Sequence, residues 1–284
     1  MGNTNFFQSL FLFLLGISLC KCSKTNYASK SEVFKSDINQ SKQEISQASS
    51  KAKGLKLIWA DEFDIDGAPN TPKWGNDIGT GTWGWGNNEL EYYTDRKENV
   101  VIEKGILKIT ALKENYNGSN YTSAKILTKE KFSFKYGKIE VRAKLSTGKG
   151  TWPAIWMLGT NISTAGWPAC GEIDIMEHKG SEPNKIYSTL HYPQHFGDNG
   201  DGNSINILHA NTTFHIYTAE WSASEINFYV DNVLFKTFVN TIASPFHQNF
   251  YIILNLAMGG GFAGPVDPAL TTATMEVDYV RVYQ

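Results

Sequence analysis

Residues Gly171-Glu172-Ile173-Asp174-Ile175-Met176-Glu177 set three acids among apolar side chains within six positions. In an extended chain, side chains alternate faces. Glu172 and Asp174 then point one way, and Ile173 and Ile175 point into the opposite layer. Glu177 stands at an odd offset from Glu172 and would fall on the wrong face. One extra residue at Ile175 or Met176, forming a β-bulge, turns it back. With that bulge the two glutamates lie roughly four residue rises apart, about 13 Å between Cα atoms.

Glutamates leaning toward each other across that gap bring their carboxyls to about 5–6 Å, the separation a retaining glycosidase uses between nucleophile and acid/base. Two plainer readings compete. The acids could form the wet face of a half-buried strand, but like charges so crowded raise at least one pKa and cost stability. They could also cage calcium, a hard cation that collects carboxylates. The aromatic residues that flank the strand weigh against the cage.

A chain of 284 residues accommodates one large all-β domain with a tail. The net charge of -2 gives no reason to expect a nucleic-acid partner. Eight Trp, thirteen Tyr, sixteen Phe and twenty-five Gly instead imply many short strands joined by glycine turns and carrying flat rings.

Phe6 to Leu19 is an apolar run too short to span a bilayer comfortably and of the right length for a signal-peptide core, although no Lys or Arg precedes it. Residues 1–22 are therefore expected to direct export, giving a secreted or cell-surface protein. Ile17-Ser18-Leu19-Cys20 is similar to a lipoprotein cleavage site with a poorly fitting Leu19, so a lipid anchor at Cys20 is an open alternative. Residues 23–54 are Ser, Lys, Gln, Asn and Ala with scattered apolar residues, expected to be a flexible linker because they bury too little to offset ordering. Cys170 alone of the cysteines lies in the body of the chain, so no internal disulfide framework is expected there, and a small buried thiol is.

From residue 55 onward, strand patterns follow at short intervals. Leu55–Trp59, Val100–Ile102, Ile106–Thr110, Ala124–Leu127, Tyr136–Leu145, Trp152–Leu158, Ile186–Tyr192, Phe214–Trp221, Ile226–Val230, Val233–Val239, Phe250–Met258 and Met275–Tyr283 flank the acidic strand. Tyr136–Leu145 alternates apolar and charged residues, the mark of a strand with one wet face. Gly79–Tyr93 reads as a ring-rich loop and Phe196–Ser204 as the flexible rim of a cleft. Strand and helix do not alternate, so an all-β antiparallel sandwich over 55–284 is expected, with Trp59, Trp74 and Trp221 in its core.

Several stretches together resemble one family. Thr151-Trp152-Pro153-Ala154-Ile155-Trp156-Met157-Leu158 and Trp167-Pro168-Ala169-Cys170-Gly171-Glu172-Ile173-Asp174-Ile175-Met176-Glu177 are similar to the heart of laminarinase-type members of glycoside hydrolase family 16. Asn87–Tyr93 and Asn255–Gly260 support the likeness, which spans about residues 55 to 284. The resemblance implies a jelly roll with a concave substrate cleft and retaining endo-hydrolysis of β-1,3-glucan, a reaction that needs no catalytic cofactor. It implies Glu172 as nucleophile, Glu177 as acid/base and Asp174 as the group between them that keeps their pKa values apart. It also implies a structural calcium at Glu62, the carbonyl of Gly105 and Asp278.

Sugar contacts are expected from Trp152, Trp156 and Trp85, whose rings stack on pyranose faces, and from Asn88, Glu91 and His191, which bind hydroxyls. Phe262 stands where laminarinases commonly carry Trp, which puts one sugar subsite in question. A monomer is expected. Mixed-linkage glucanase, agarase- or carrageenase-like activity, transglycosylation and a noncatalytic glucan-binding lectin are the alternatives.

Overall fold

Residues 54–284 are described by the computed structural model. The expected signal segment, Cys20 and the polar tract up to Lys53 lie outside the described residues. The strands run, in chain order, β1 (Leu57–Asp61), β2 (Gly75–Asp77), β3 (Glu91–Tyr93), β4 (Val100–Glu103), β5 (Ile106–Tyr116), β6 (Ser119–Ser123), β7 (Lys125–Leu127), β8 (Gly137–Lys144) and β9 (Thr151–Gly159). They continue as β10 (Glu172–His178), β11 (Lys185–His191), β12 (Asp201–Asn206), β13 (His215–Trp221), β14 (Glu225–Val230), β15 (Val233–Val239), β16 (Phe250–Met258) and β17 (Thr272–Tyr283). Two four-residue helical turns, α1 (Ile162–Ala165) and α2 (Gly260–Ala263), interrupt the connections.

The strands form two sheets. A ten-stranded sheet runs β15-β14-β13-β8-β17-β5-β6-β3, with β1 on β17 and β4 on β5, and a seven-stranded sheet runs β12-β11-β10-β9-β16-β7-β2. Pairing is antiparallel apart from β3 on β6. The alternation on β8 shows why the layers face as they do. Ile139, Val141 and Ala143 are buried, whereas Lys138, Glu140, Arg142 and Lys144 point outward. The outward charges pair within the sheet, Lys138 with Glu140 at 2.7 Å and Lys144 with Glu276 at 2.8 Å. The inward residues join one core with Leu107, Ile109, Val277 and Val280, and with Ile155, Met157, Ile252 and Leu254 of the other sheet. Trp74 and Trp221 are buried, and Trp59 packs against the same core from a half-buried position.

The bulge expected in the acidic strand is present. Against β9, Asp174 pairs with Trp156 and Met176 with Ile155, and against β11, Asp174 pairs with Thr189 and Glu177 with Tyr187. Ile175 and Met176 both enter the core, so the extra residue is apolar and buried. Burial of each stabilises by about 1.5–3 kcal/mol, which offsets the ladder hydrogen bonds lost at the bulge. Glu177 returns to the face of Asp174.

Two expectations are corrected. The segment read as a flexible rim is a short 3-10 turn at Gly197–Asn199 followed by β12, which completes the edge of the seven-stranded sheet along β11. Its polar, half-exposed sequence hid it, because an edge strand needs ladder partners more than an apolar face. Likewise the end of the ring-rich loop, Glu91–Tyr93, is strand β3.

Gly171 leads into β10 with φ 76°, and a Cβ there would meet Pro245 at 3.0 Å, Phe250 at 3.1 Å and Phe246 at 3.2 Å. Gly171→Ala should therefore cost about 1–3 kcal/mol through backbone strain and crowding. Thermal unfolding followed by circular dichroism should show a Tm lower by about 2–10 °C; an unchanged Tm would contradict the placement of this glycine.

Candidate active site

The acids sit on the face of the seven-stranded sheet turned away from the core, where β9, β10 and β11 lie side by side. Glu172 is half-buried, and Asp174 and Glu177 are buried. Each glutamate is held by an indole. Trp167 donates its Nε1–H to Glu172 Oε2 at 2.9 Å, and Trp152 donates its Nε1–H to Glu177 Oε1 at 3.1 Å. Thr189 donates its hydroxyl to the other oxygen of Glu177 at 3.3 Å. His191 Nε2 lies 3.3 Å from Asp174 Oδ2 and 3.9 Å from Glu172 Oε1.

Burial shifts all three acids upward. Glu172 is pushed up to about 8, first by burial and then by the Asp174 carboxyl, with Glu177 adding and with His191 and the Trp167 N–H opposing. Burial and then the Glu177 charge hold Asp174 well above the usual carboxylate range. Burial also raises Glu177, opposed by His191, by the hydrogen bonds from Trp152 and Thr189 and by Lys179. Buried like charges at this range share protons as one cluster. One member can then be an ionised nucleophile while another keeps a proton to give. Cys170, next to the strand, is buried and its thiol is pushed up to about 11 by burial and by Glu172, so it stays protonated and inert.

Aromatic and amide groups extend the site along the sheet. Trp156 donates to Asn255 Oδ1 at 2.7 Å, Asn255 donates to the Tyr93 hydroxyl at 3.0 Å, and that hydroxyl donates to Glu89 Oε2 at 3.0 Å. Lys125 Nζ sits between the rings of Trp85 at 4.2 Å and Trp156 at 5.2 Å, which ties the ring-rich loop to the sheet. On the Glu177 side, Trp152 meets Phe262 of α2 at 4.9 Å, and Phe262 meets Tyr187 at 5.3 Å.

The structure thus gathers Glu172, Asp174, Glu177, Trp152, Trp156 and His191 on one sheet face, with Trp156 opposite Asp174 in register, and places Trp85 beyond them on the ring-rich loop. Asn88 is exposed and lines a cavity of about 360 Å³ with Leu90, Gly260, Gly261, Gly264 and Pro265. Glu91 is corrected: it is fully buried and its Oε2 accepts the backbone N–H of Met258 at 2.7 Å, so it cannot reach a sugar and instead braces β3 against β16. Burial and then the charge of Glu89 push it well above the usual carboxylate range. Glu89, two residues earlier, is half-buried and holds the loop through Asn87 and Tyr93. Trp167, Thr189 and Lys125 were missed as site residues. Thr189 stands two positions before His191 on an alternating strand, a signal that was legible, whereas Trp167 and Lys125 join the site only through tertiary contacts.

The residues expected to hold calcium carry other partners. Strand register does bring Glu62, Gly105 and Asp278 to neighbouring positions, since Asp61 pairs with Val280 and Leu107 with Val277. Both side chains are already matched, Glu62 by Arg281 at 2.8 and 2.7 Å and Asp278 by Arg142 at 2.5 Å. Carboxylates neutralised by guanidinium groups do not fit a divalent cation. Glu172, Asp174 and His191 place one donor atom each within 4.8 Å of one another. The N–H donors that surround them mark acid–base chemistry rather than an oxygen cage.

The geometry agrees with the comparisons to known proteins. The model of glycosyl hydrolases family 16 matches residues 82–281. A β-glucanase of Rhodothermus marinus is 44% identical over 255 residues, covering 84% of this chain and 88% of that protein. A glucan endo-1,3-β-glucosidase of Cryptopygus antarcticus is 39% identical over 250 residues, covering 79% of this chain and 90% of its own length. The X-ray structure of the laminarinase from Rhodothermus marinus superposes with a TM-score of 0.77 at 43% identity, covering 81% of this chain and 97% of that one.

A carboxyl raised on folding means that the native state binds more protons than the unfolded chain between the unfolded value, about 4.3, and the folded one. For Glu172, with a folded value of about 8, stability should therefore fall as pH rises through that window. Glu172→Gln removes the ionising group, so its Tm at pH 8 should exceed that of the wild type by about 2–6 °C, with the difference vanishing near pH 4.5. Melting curves across pH 4.5–8 check this; a Gln variant less stable at pH 8 would contradict it.

Proposed function

Because the chain belongs to glycosyl hydrolases family 16, we propose that it is a retaining endo-1,3-β-glucanase acting on laminarin-like β-1,3-glucan by double displacement. The observation that carries this reading is the pair of indole-held glutamates on one bulged strand, together with relatives described as β-glucanase and glucan endo-1,3-β-glucosidase.

Glu172, with its charge held by the Trp167 N–H, attacks the anomeric carbon as Glu177 passes a proton to the leaving glycosidic oxygen. The bond to the leaving sugar breaks and a glycosyl ester on Glu172 forms. Glu177, now ionised and steadied by Trp152 and Thr189, takes a proton from water, which attacks the ester and frees a product of retained configuration. Asp174, beside both and 3.3 Å from His191, accepts the proton that the raised Glu172 would otherwise hold, so Glu172 attacks as the anion while Glu177 keeps a proton of its own. Trp156, Trp85 and Trp152 offer sugar faces along the cleft. The two carboxyls supply all the chemistry, so no catalytic cofactor enters.

We further place the enzyme outside the cytoplasm, on the apolar run Phe6–Leu19, with Cys20 as a site for a lipid anchor. Expression in a bacterial host with labelled palmitate should label the wild type and leave Cys20→Ser unlabelled; an unlabelled wild type would remove the anchor.

Glu172→Ala and Glu177→Ala should each lower kcat on laminarin by on the order of 10²–10⁴-fold. Azide separates the roles. It should rescue Glu172→Ala with an α-glycosyl azide, formed from the face the nucleophile vacates, and Glu177→Ala with a β-glycosyl azide, formed from the glycosyl ester. Reversed products would exchange the assignments, and substantial activity left in Glu172→Ala would overturn the nucleophile.

A further inference from the structure

The two indoles that hold the glutamates are themselves held, and by the same kind of residue. Phe262, on the α2 turn, packs at 4.9 Å and 38° against Trp152. Phe196, at the entry to the Gly197–Asn199 turn, meets Trp167 edge-on at 5.4 Å and 80°. Neither phenylalanine lies on β9, β10 or β11, so each is an arm reaching in from a loop. The backbone around both is shaped to present them. α2 opens on Gly259 and Gly260 and closes at Gly264, all with φ 73°, and Phe196 precedes Gly197 with φ 57°.

The pairs differ in how much else supports them. Trp152 lies on a central strand, and Phe262 is backed by Tyr187 at 5.3 Å and capped by the Lys179 ammonium at 4.4 Å. Trp167 comes from the loop before β10 and is 46% exposed, with Phe196 at 45%. Its other ring neighbour is His191 at 6.0 Å. An exposed indole on a loop has several rotamers open to it, and the edge-on contact selects one that aims N–H at Glu172.

Resting on the reading of Glu172 as nucleophile and Glu177 as acid/base, we propose that Phe196 and Phe262 are positioning residues that lock the Trp167 and Trp152 indoles onto the two glutamates, one for each glutamate. Each acts through its tryptophan. An N–H donated to a carboxylate favours the ionised form, so losing the brace on Trp167 should raise the pH at which Glu172 ionises, and losing the brace on Trp152 should do the same for Glu177. The titratable groups that face Glu172 are Asp174, Glu177, His191, Cys170 and Tyr251; those that face Glu177 are Asp174, His191 and Lys179. None of them is itself replaced; Lys179 loses its contact with the Phe262 ring in Phe262→Leu, and a shift caused by that loss would persist in the Trp152→Phe background, whereas one carried by the indole would not.

The test is the pH profile of kcat and KM on laminarin for the full chain, its Phe196→Leu and Phe262→Leu variants, and Trp152→Phe. Phe196→Leu should move the acidic limb, which reports the ionised nucleophile, upward by about half to one unit. Phe262→Leu should move the alkaline limb, which reports the protonated acid, upward by a similar amount. Both should lower kcat about ten- to a hundredfold with KM within about twofold. Phe196→Tyr and Phe262→Tyr keep the ring and should restore the limbs. In the Trp152→Phe background, Phe262→Leu should shift nothing further. A raised KM with unchanged kcat would show that the phenylalanines touch sugar instead of bracing indoles. A lower kcat with neither limb moved, or additivity with Trp152→Phe, would show a role in the fold alone; each result overturns the proposal. The indole N–H resonances of ¹⁵N-tryptophan-labelled protein give a readout without substrate. The Trp167 and Trp152 signals should titrate with the carboxyls in the wild type and lose that response in the matching Leu variant. If no glucan is cleaved but these signals behave so, the functional reading fails while the bracing stands.

Discussion

Three carboxyls brought together on a partly buried sheet face repel one another, and the rest of the site manages that repulsion. Burial alone would neutralise all three, which would leave no nucleophile. Ionisation of all three would leave no acid and would cost several kcal/mol of stability. The arrangement found here lies between. A few N–H donors and one imidazole favour charge on chosen oxygens, and the shared proton goes to the rest. Trp167 and Trp152 are suited to this because an indole donates without accepting, so it can only favour the ionised form.

The scaffold follows from the same requirement. Holding acids on one face requires a strand that is firmly anchored on the other, and Ile173, Ile175 and Met176 supply that anchor within the core. The bulge lets two consecutive apolar residues enter the core and returns Glu177 to the wet side. β9 and β11 flank the strand with Trp152, Thr189 and His191, so the partners of the acids come from rigid elements. Trp167 is the exception. It belongs to a loop, which is why an outside contact such as Phe196 matters more there.

Much of this was legible from the chain. The acid spacing, the apolar Ile175-Met176 pair and the alternation of Tyr136–Leu145 are local signals, and each strand they imply is present. What escaped reading was non-local. Glu91 and Glu89 stand two residues apart with the same chemistry, and only the Met258 amide, far along the chain, decides which one is sealed inside. The acidic side chains expected to bind calcium turn to Arg281 and Arg142, partners that no spacing rule reveals. β12 carries almost no apolar signal, so its ladder with β11 could not be foreseen. Trp167 reaches Glu172 through the path of a loop, which the sequence does not encode in any period.

The central claim is that Glu172 forms a covalent bond with the sugar. Incubation with a 2-deoxy-2-fluoro laminaribiosyl fluoride, whose fluorine slows the second step more than the first, should trap that ester. Tandem mass spectrometry of the proteolysed protein should then find the added disaccharide on Glu172. Label on Glu177 or Asp174, or turnover to product of inverted configuration with no trapped enzyme, would contradict the account.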